Sequence, residues 1–195
     1  MKIIVGLFLL HFFSIAHCKE PDECIKIRIK LASNTNFKGN KWPNNRVFYK
    51  ISSRISAPYR KNITEAFDVI QNETQNCVTF VERTNQMQYL KINKIKEGCF
   101  SNYGYNETGV VFMELEDYCL TNRMALLHET MHILGFAHMH QVPNRDSYVD
   151  IKWENIDEDF IRQFSRSSCG SQYDKYFPYD YDSVMHYPRD ATFLK

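Results

Sequence analysis

The sequence lacks a dominant charge: 24 Lys and Arg stand against 23 Asp and Glu, a formal net charge of +1 over 195 residues. That balance offers no electrostatic footprint for nucleic acid or for a strongly anionic surface. Internal repeats and low-complexity tracts are also missing, so the composition is that of a soluble globular chain. Its length suits one compact domain with a sizeable core. Beyond the first 13 residues no apolar run approaches the ~20 residues that span a bilayer, which excludes a membrane-spanning helix there. Histidine is absent from residues 18–127: two of the seven precede that stretch and five follow it, between residues 128 and 186.

The N-terminus carries its own signal. Lys2 is followed by an apolar run from Ile3 to Phe13, broken only by His11, and then by Ala16-His17-Cys18. A charged n-region, a short apolar core and small residues at a cleavage site predict a secretory signal peptide over 1–18. Export predicts an oxidising destination and therefore bridged cysteines. Of the six cysteines, Cys24, Cys77, Cys99, Cys119 and Cys169 remain after such a cut, an odd number that leaves at least one without an intramolecular partner. Sequons at Asn62, Asn72 and Asn106 fit a glycosylated, extracellular protein.

Residues 19–41 are polar with Asn-rich turn signals and read as a lead-in. Trp42-Pro43-Asn44-Asn45 is a turn before a strand over 46–51. Ser56-Ala57-Pro58 opens a helix that places Ile63, Ala66, Phe67 and Ile70 on one buried face. Strands are expected over 77–82, 89–95 and 110–115. A second helix, capped by Thr121 or Asn122, carries an apolar stripe of Met124, Leu127, Met131 and Leu134 and stops at Gly135. Ile156, Phe160 and Phe164 suggest a third helix, and 165–195 reads as irregular. The predicted class is α+β with a small mixed sheet.

The second helix holds the chemistry. His128-Glu129-Thr130-Met131-His132 places two imidazoles one turn apart on one face, and Gly135 lets the chain turn so that His138 can return as a third ligand. Three nitrogen donors favour zinc over calcium or magnesium, and three ligands leave a position open, the mark of a catalytic site. Glu129 is placed to take a proton from the water that such a metal acidifies. A purely structural zinc would leave Glu129 without a role. His140 reads as a surface or supporting residue.

These eleven residues, HETMHILGFAH, resemble the metzincin zinc signature, and Phe136 after the glycine favours the astacin family. Ser183-Val184-Met185-His186-Tyr187 resembles that family's Met-turn. The resemblance extends through Lys41-Trp42-Pro43-Asn44, Cys77-Val78-Thr79-Phe80-Val81, Gly98-Cys99-Phe100-Ser101, Cys119, Arg145-Asp146 and Trp153-Glu154-Asn155-Ile156. It implies a secreted zinc endopeptidase with one Zn2+ per chain held by His128, His132 and His138. Glu129 would be the general base, and Met185 the apolar floor. Tyr187 would be the phenol that ligates the metal at rest and moves to the substrate oxygen in the transition state. The implied fold is a two-lobed metzincin domain over 42–195, with sheet and long helices in the first lobe. The second lobe would be irregular, with its usual C-terminal end expected to be missing. It also implies a Cys99–Cys119 disulfide, a Cys77 that is free or paired with Cys24 or Cys169, and a substrate-receiving edge strand over 89–95. Residues 19–41 would be a reduced pro-segment. Protein or peptide substrates are expected, with no nucleic acid or membrane partner and a monomeric state. The sequence departs from the family at Met139, where glutamate is usual, and at Asn40, where the pro-segment pattern has aspartate. A zinc-holding binding domain without turnover is the competing class; the complete set of catalytic residue types speaks for the enzyme.

Overall fold

The computed structural model describes residues 40–166 and 179–188. The expected leader, the expected lead-in up to residue 39, Cys24 and Cys169 lie outside them. A buried Trp42 opens the domain: its indole N–H donates to the Ile133 carbonyl at 2.8 Å, and its ring meets Tyr105 edge-on at 5.3 Å. After a 3-10 turn at Pro43–Asn45, strand β1 runs over Arg46–Ile51 and helix α1 over Ala57–Glu73. The four predicted positions, Ile63, Ala66, Phe67 and Ile70, are the buried residues of α1. Phe67 stacks on Phe80, ring centroids 4.2 Å apart, and fixes the helix to the sheet.

Strands β2 (Thr79–Glu82), β3 (Leu90–Lys94), β4 (Cys99–Ser101) and β5 (Val111–Leu115) complete a five-stranded sheet in the order β2-β1-β3-β5-β4. All pairs are parallel except β4 with β5, where Cys99 faces Leu115 and Ser101 faces Met113. The expected edge strand over 89–95 is therefore corrected. Strand β3 is central, with Leu90 opposite both Tyr49 and Val111. Its alternation of buried Leu90 and Ile92 with exposed Lys91 reports one covered face and is the same for a central or an edge strand. The edges are β2 and the short β4.

A one-turn helix, α2 (Asp117–Thr121), precedes α3 (Arg123–Ile133). Asn122, not Thr121, caps α3, because the Thr121 hydroxyl is spent on carbonyls of α2. The predicted stripe is right at Leu127 and Met131 and wrong at Met124, which is half exposed. Instead α3 is buried almost all round its second half, Leu126 through Ile133 apart from His128. Beyond Gly135 the described residues form 3-10 turns and loops, the irregular second lobe. The expected third α-helix is a 3-10 segment, Glu158–Phe164, anchored by buried Phe164. Among the described residues no helix is long and apolar enough to cross a membrane.

Candidate metal centre and active site

Asn122 fixes where α3 begins. Its side-chain oxygen accepts from the N–H groups of Met124 at 2.9 Å and Ala125 at 3.2 Å, two donors that a helix start leaves open. From that start His128 and His132 fall on one face. Gly135, at φ +102°, ends the helix in a conformation that a residue with a Cβ adopts only under strain. The chain then returns, and His138 Nε2 comes to 3.2 Å from Nε2 of both His128 and His132.

The opposite ring nitrogens settle what those Nε2 atoms are. His128 Nδ1 lies 2.7 Å from the Val184 carbonyl and His132 Nδ1 2.7 Å from the Phe136 carbonyl. A carbonyl only accepts, so each Nδ1 carries the hydrogen and each neutral ring turns a lone pair inward at Nε2. Burial lowers the pKa of His128 and keeps it neutral, against the opposing pull of the Val184 carbonyl. Lone pairs converging at this range repel unless a cation lies among them. The donor set, three imidazole nitrogens within 4.8 Å of one another, fits a zinc ion. Val184 belongs to the second lobe, so the two lobes together orient the His128 ring.

Glu129, beside His128, is 5% exposed. Burial pushes its carboxyl up to about 7, partly offset by the Ser101 hydroxyl of β4. Yet Ser101 Oγ and Glu129 Oε2 both lack a hydrogen-bond partner among the described residues, so the two lie close without meeting hydrogen-bond geometry. Tyr187 rests its ring against His138 and His140, centroids 4.4 and 4.2 Å away, and donates its hydroxyl to Gln163 Oε1 at 2.9 Å. Burial raises that phenol, and Tyr103 and Glu129 add to the rise, so it stays a proton donor. Met185 is buried in the core, and its carbonyl accepts the Met139 N–H at 2.8 Å.

The family model described as Astacin, a family of peptidases, matches residues 34–194. The chain belongs to the astacin family. Among curated astacin relatives, it is 37% identical over 147 residues to zinc metalloproteinase nas-7 of Caenorhabditis elegans, covering 75% of this chain and 37% of that one. It is 41% identical over 150 residues to zinc metalloproteinase nas-8 of Steinernema carpocapsae, covering 75% and 34%. The chain thus spans about a third of the length of these relatives. Among solved structures it resembles high choriolytic enzyme 1, a hatching enzyme zinc-protease from the medaka Oryzias latipes. That match has a TM-score of 0.70 at 31% identity and covers 84% of this chain and 77% of that one.

Around this astacin centre the structure meets the sequence reading in some places and departs from it in others. Of the two readings of His140, surface or supporting residue, the structure removes the first. It is 2% exposed, donates Nε2–H to the Gln163 carbonyl at 3.0 Å and is kept neutral by burial, its pKa lowered to about 4. The expected Cys99–Cys119 disulfide is present, with Cα atoms 6.4 Å apart, and joins β4 to α2 just before α3. Cys77 is disulfide-bonded, which removes the free-thiol alternative. Of the sequon residues, Asn72 and Asn106 are exposed, whereas Asn62 donates its amide to the Leu120 carbonyl at 2.9 Å. Two further neighbours of the centre carry no signal in the sequence. Tyr103 meets the His132 ring edge-on at 4.8 Å, and burial and then Glu129 raise its phenol. Gln163 holds the Tyr187 hydroxyl. Neither lies in a motif; only the fold brings residues 103 and 163 to this centre.

Proposed function

We propose that this chain is a secreted, zinc-dependent endopeptidase that cleaves peptide bonds in proteins and peptides, with one zinc per chain on His128, His132 and His138. The observation that carries the reading is the convergence of three Nε2 atoms, those of His128 and His132 fixed as lone-pair bearers, beside a buried carboxyl in an astacin domain. When bound there, zinc supplies Lewis acidity toward a peptide carbonyl and toward water. Glu129 takes a proton from the attacking water and returns it to the leaving amine, a role suited to a carboxyl poised near neutral pH. Tyr187 donates a hydrogen bond to the substrate oxygen as charge develops on it. Met185 fills the space below the ligands. The outer edge of β4 pairs with an extended substrate by main-chain hydrogen bonds, and Ser101 on that strand neighbours Glu129.

Export rests on the 1–18 leader, on the disulfides and on the exposed sequon residues Asn72 and Asn106. The function is tested with purified protein on a denatured protein substrate. Cleavage should disappear with a chelator and return with added zinc. A folded chain that holds zinc and cleaves nothing would be a binding domain instead.

A further inference from the structure

Tyr187 reaches the centre from the turn that follows Ser183, and its hydroxyl hydrogen is already committed. It goes to Gln163 Oε1, on a segment that no zinc motif includes. The backbone of Gln163 is held independently of its side chain. Its carbonyl accepts from His140 Nε2 at 3.0 Å and from Gln141 Nε2 at 2.7 Å. One residue on, the Phe164 carbonyl accepts from Arg145 Nη1 at 2.7 Å, and the same nitrogen bonds the His140 carbonyl at 2.9 Å. Arg145 is itself 3% exposed. Three of these bonds tie the Glu158–Phe164 segment to the stretch that follows the third ligand, and the fourth braces Arg145 within that stretch, so the Gln163 amide is presented from a fixed point. Phe164 limits the ring from another side, its centroid 5.8 Å from that of Tyr187.

A phenol has one hydrogen to donate. While Gln163 holds it, Tyr187 cannot give it to a substrate oxygen. We infer that Gln163 is a positioning residue that keeps Tyr187 in a resting orientation, and that exchange of this bond for one to the substrate is part of the barrier to peptide hydrolysis. The inference rests on Tyr187 being the transition-state donor. It assigns to the second lobe a side chain that sets how readily that donor is released. Glutamine suits the role because it is a neutral acceptor. A carboxylate at the same place would hold the phenol more tightly, and an aliphatic side chain would not hold it at all.

The test uses Gln163→Leu and Gln163→Glu in the full chain, alone and with Tyr187→Phe. The backbone carbonyl, not the side chain, carries the bonds to His140 and Gln141, so both substitutions leave the segment anchored. Loss of one net hydrogen bond in the resting state predicts that Gln163→Leu raises kcat about three- to tenfold with KM little changed. Gln163→Glu should lower kcat by a similar factor. Both effects should vanish in the Tyr187→Phe background. A second readout needs no metal and no turnover: in chelator-treated protein, the unfolding equilibrium constants of Gln163→Leu and Tyr187→Phe should be coupled, by about three- to tenfold. Opposite shifts in kcat with coupled unfolding support the role. Equal falls in kcat for both variants, persisting with Tyr187→Phe, would make Gln163 a structural residue and overturn it. Additive unfolding energies would refute the bond itself. If Tyr187→Phe leaves kcat unchanged, the assignment of Tyr187 falls and the holding role falls with it, whatever the unfolding cycle shows.

Discussion

Removing the metal should expose a cost that the buried Glu129 carboxyl imposes on folding, and Glu129→Gln should relieve it. In the metal-free chain the folded carboxyl titrates at about 7, against a usual 4.5, because burial disfavours its charged form. Between those values the folded chain keeps a proton that the unfolded chain has released, so stability falls as pH rises from about 4.5 to 7. At roughly 1.4 kcal/mol per pH unit the full penalty above pH 7 is about 3 kcal/mol. The buried imidazoles act the other way. His140 is depressed to about 4 and His128 is lowered too, so there the unfolded chain binds the extra proton and stability rises with pH. The wild-type profile mixes these opposed slopes, which is why the difference between Glu129→Gln and wild type is the useful quantity. Urea unfolding in chelator, followed by circular dichroism from pH 4.5 to 8, should show that difference growing in favour of the variant by about 3 kcal/mol. With zinc restored, the cation favours the carboxylate and the pH-dependent gap should narrow. A difference that stays flat with pH in chelator would refute the burial argument for Glu129.

With the role proposed for its phenol in the transition state, Tyr187→Phe should lower kcat more than it raises KM; steady-state kinetics on one peptide decides it. Replacing Cys99 and Cys119 by serine opens a link across a sequence separation of 20 and should cost about 3 kcal/mol in urea unfolding. Protein beginning at Lys19 should be about as active as protein beginning at Trp42. This follows because Asn40 is exposed and its carbonyl accepts the Tyr105 N–H at 2.7 Å, while buried Met139 offers no charge to receive a new N-terminal ammonium. A large rise in activity on trimming, with zinc content unchanged, would mean that residues 19–41 block the cleft by bulk.

The parts of this protein written in local periodicity are legible in its sequence. The buried face of α1, the start of β1 and the helix that ends at Gly135 follow from spacing and turn chemistry, because each depends on neighbours within a few residues. The three histidines are legible for the same reason: a helical pair, a glycine and a third histidine form one short motif. Position within the sheet is not. The alternation in β3 reads the same for an edge or a central strand until its partners are known, and pairing is a long-range property. Burial of His140 is equally hidden, since it depends on Gln163, Phe164 and Tyr187, all at least 23 residues away in sequence. The 3-10 form of Glu158–Phe164 shares the apolar spacing of an α-helix over so short a run, so the pattern does not separate the two.

Whether Glu129 does chemistry at a zinc held by three histidines is decided most directly by one measurement. Glu129→Ala protein should be assayed for bound zinc by atomic absorption and, on the same sample, for cleavage of a denatured protein substrate. The expected result is about one zinc per chain, as in wild type, with nearly all cleavage lost, because His128, His132 and His138 are untouched while the base is gone. Glu129→Ala that keeps its zinc and cleaves at the wild-type rate would contradict the assignment.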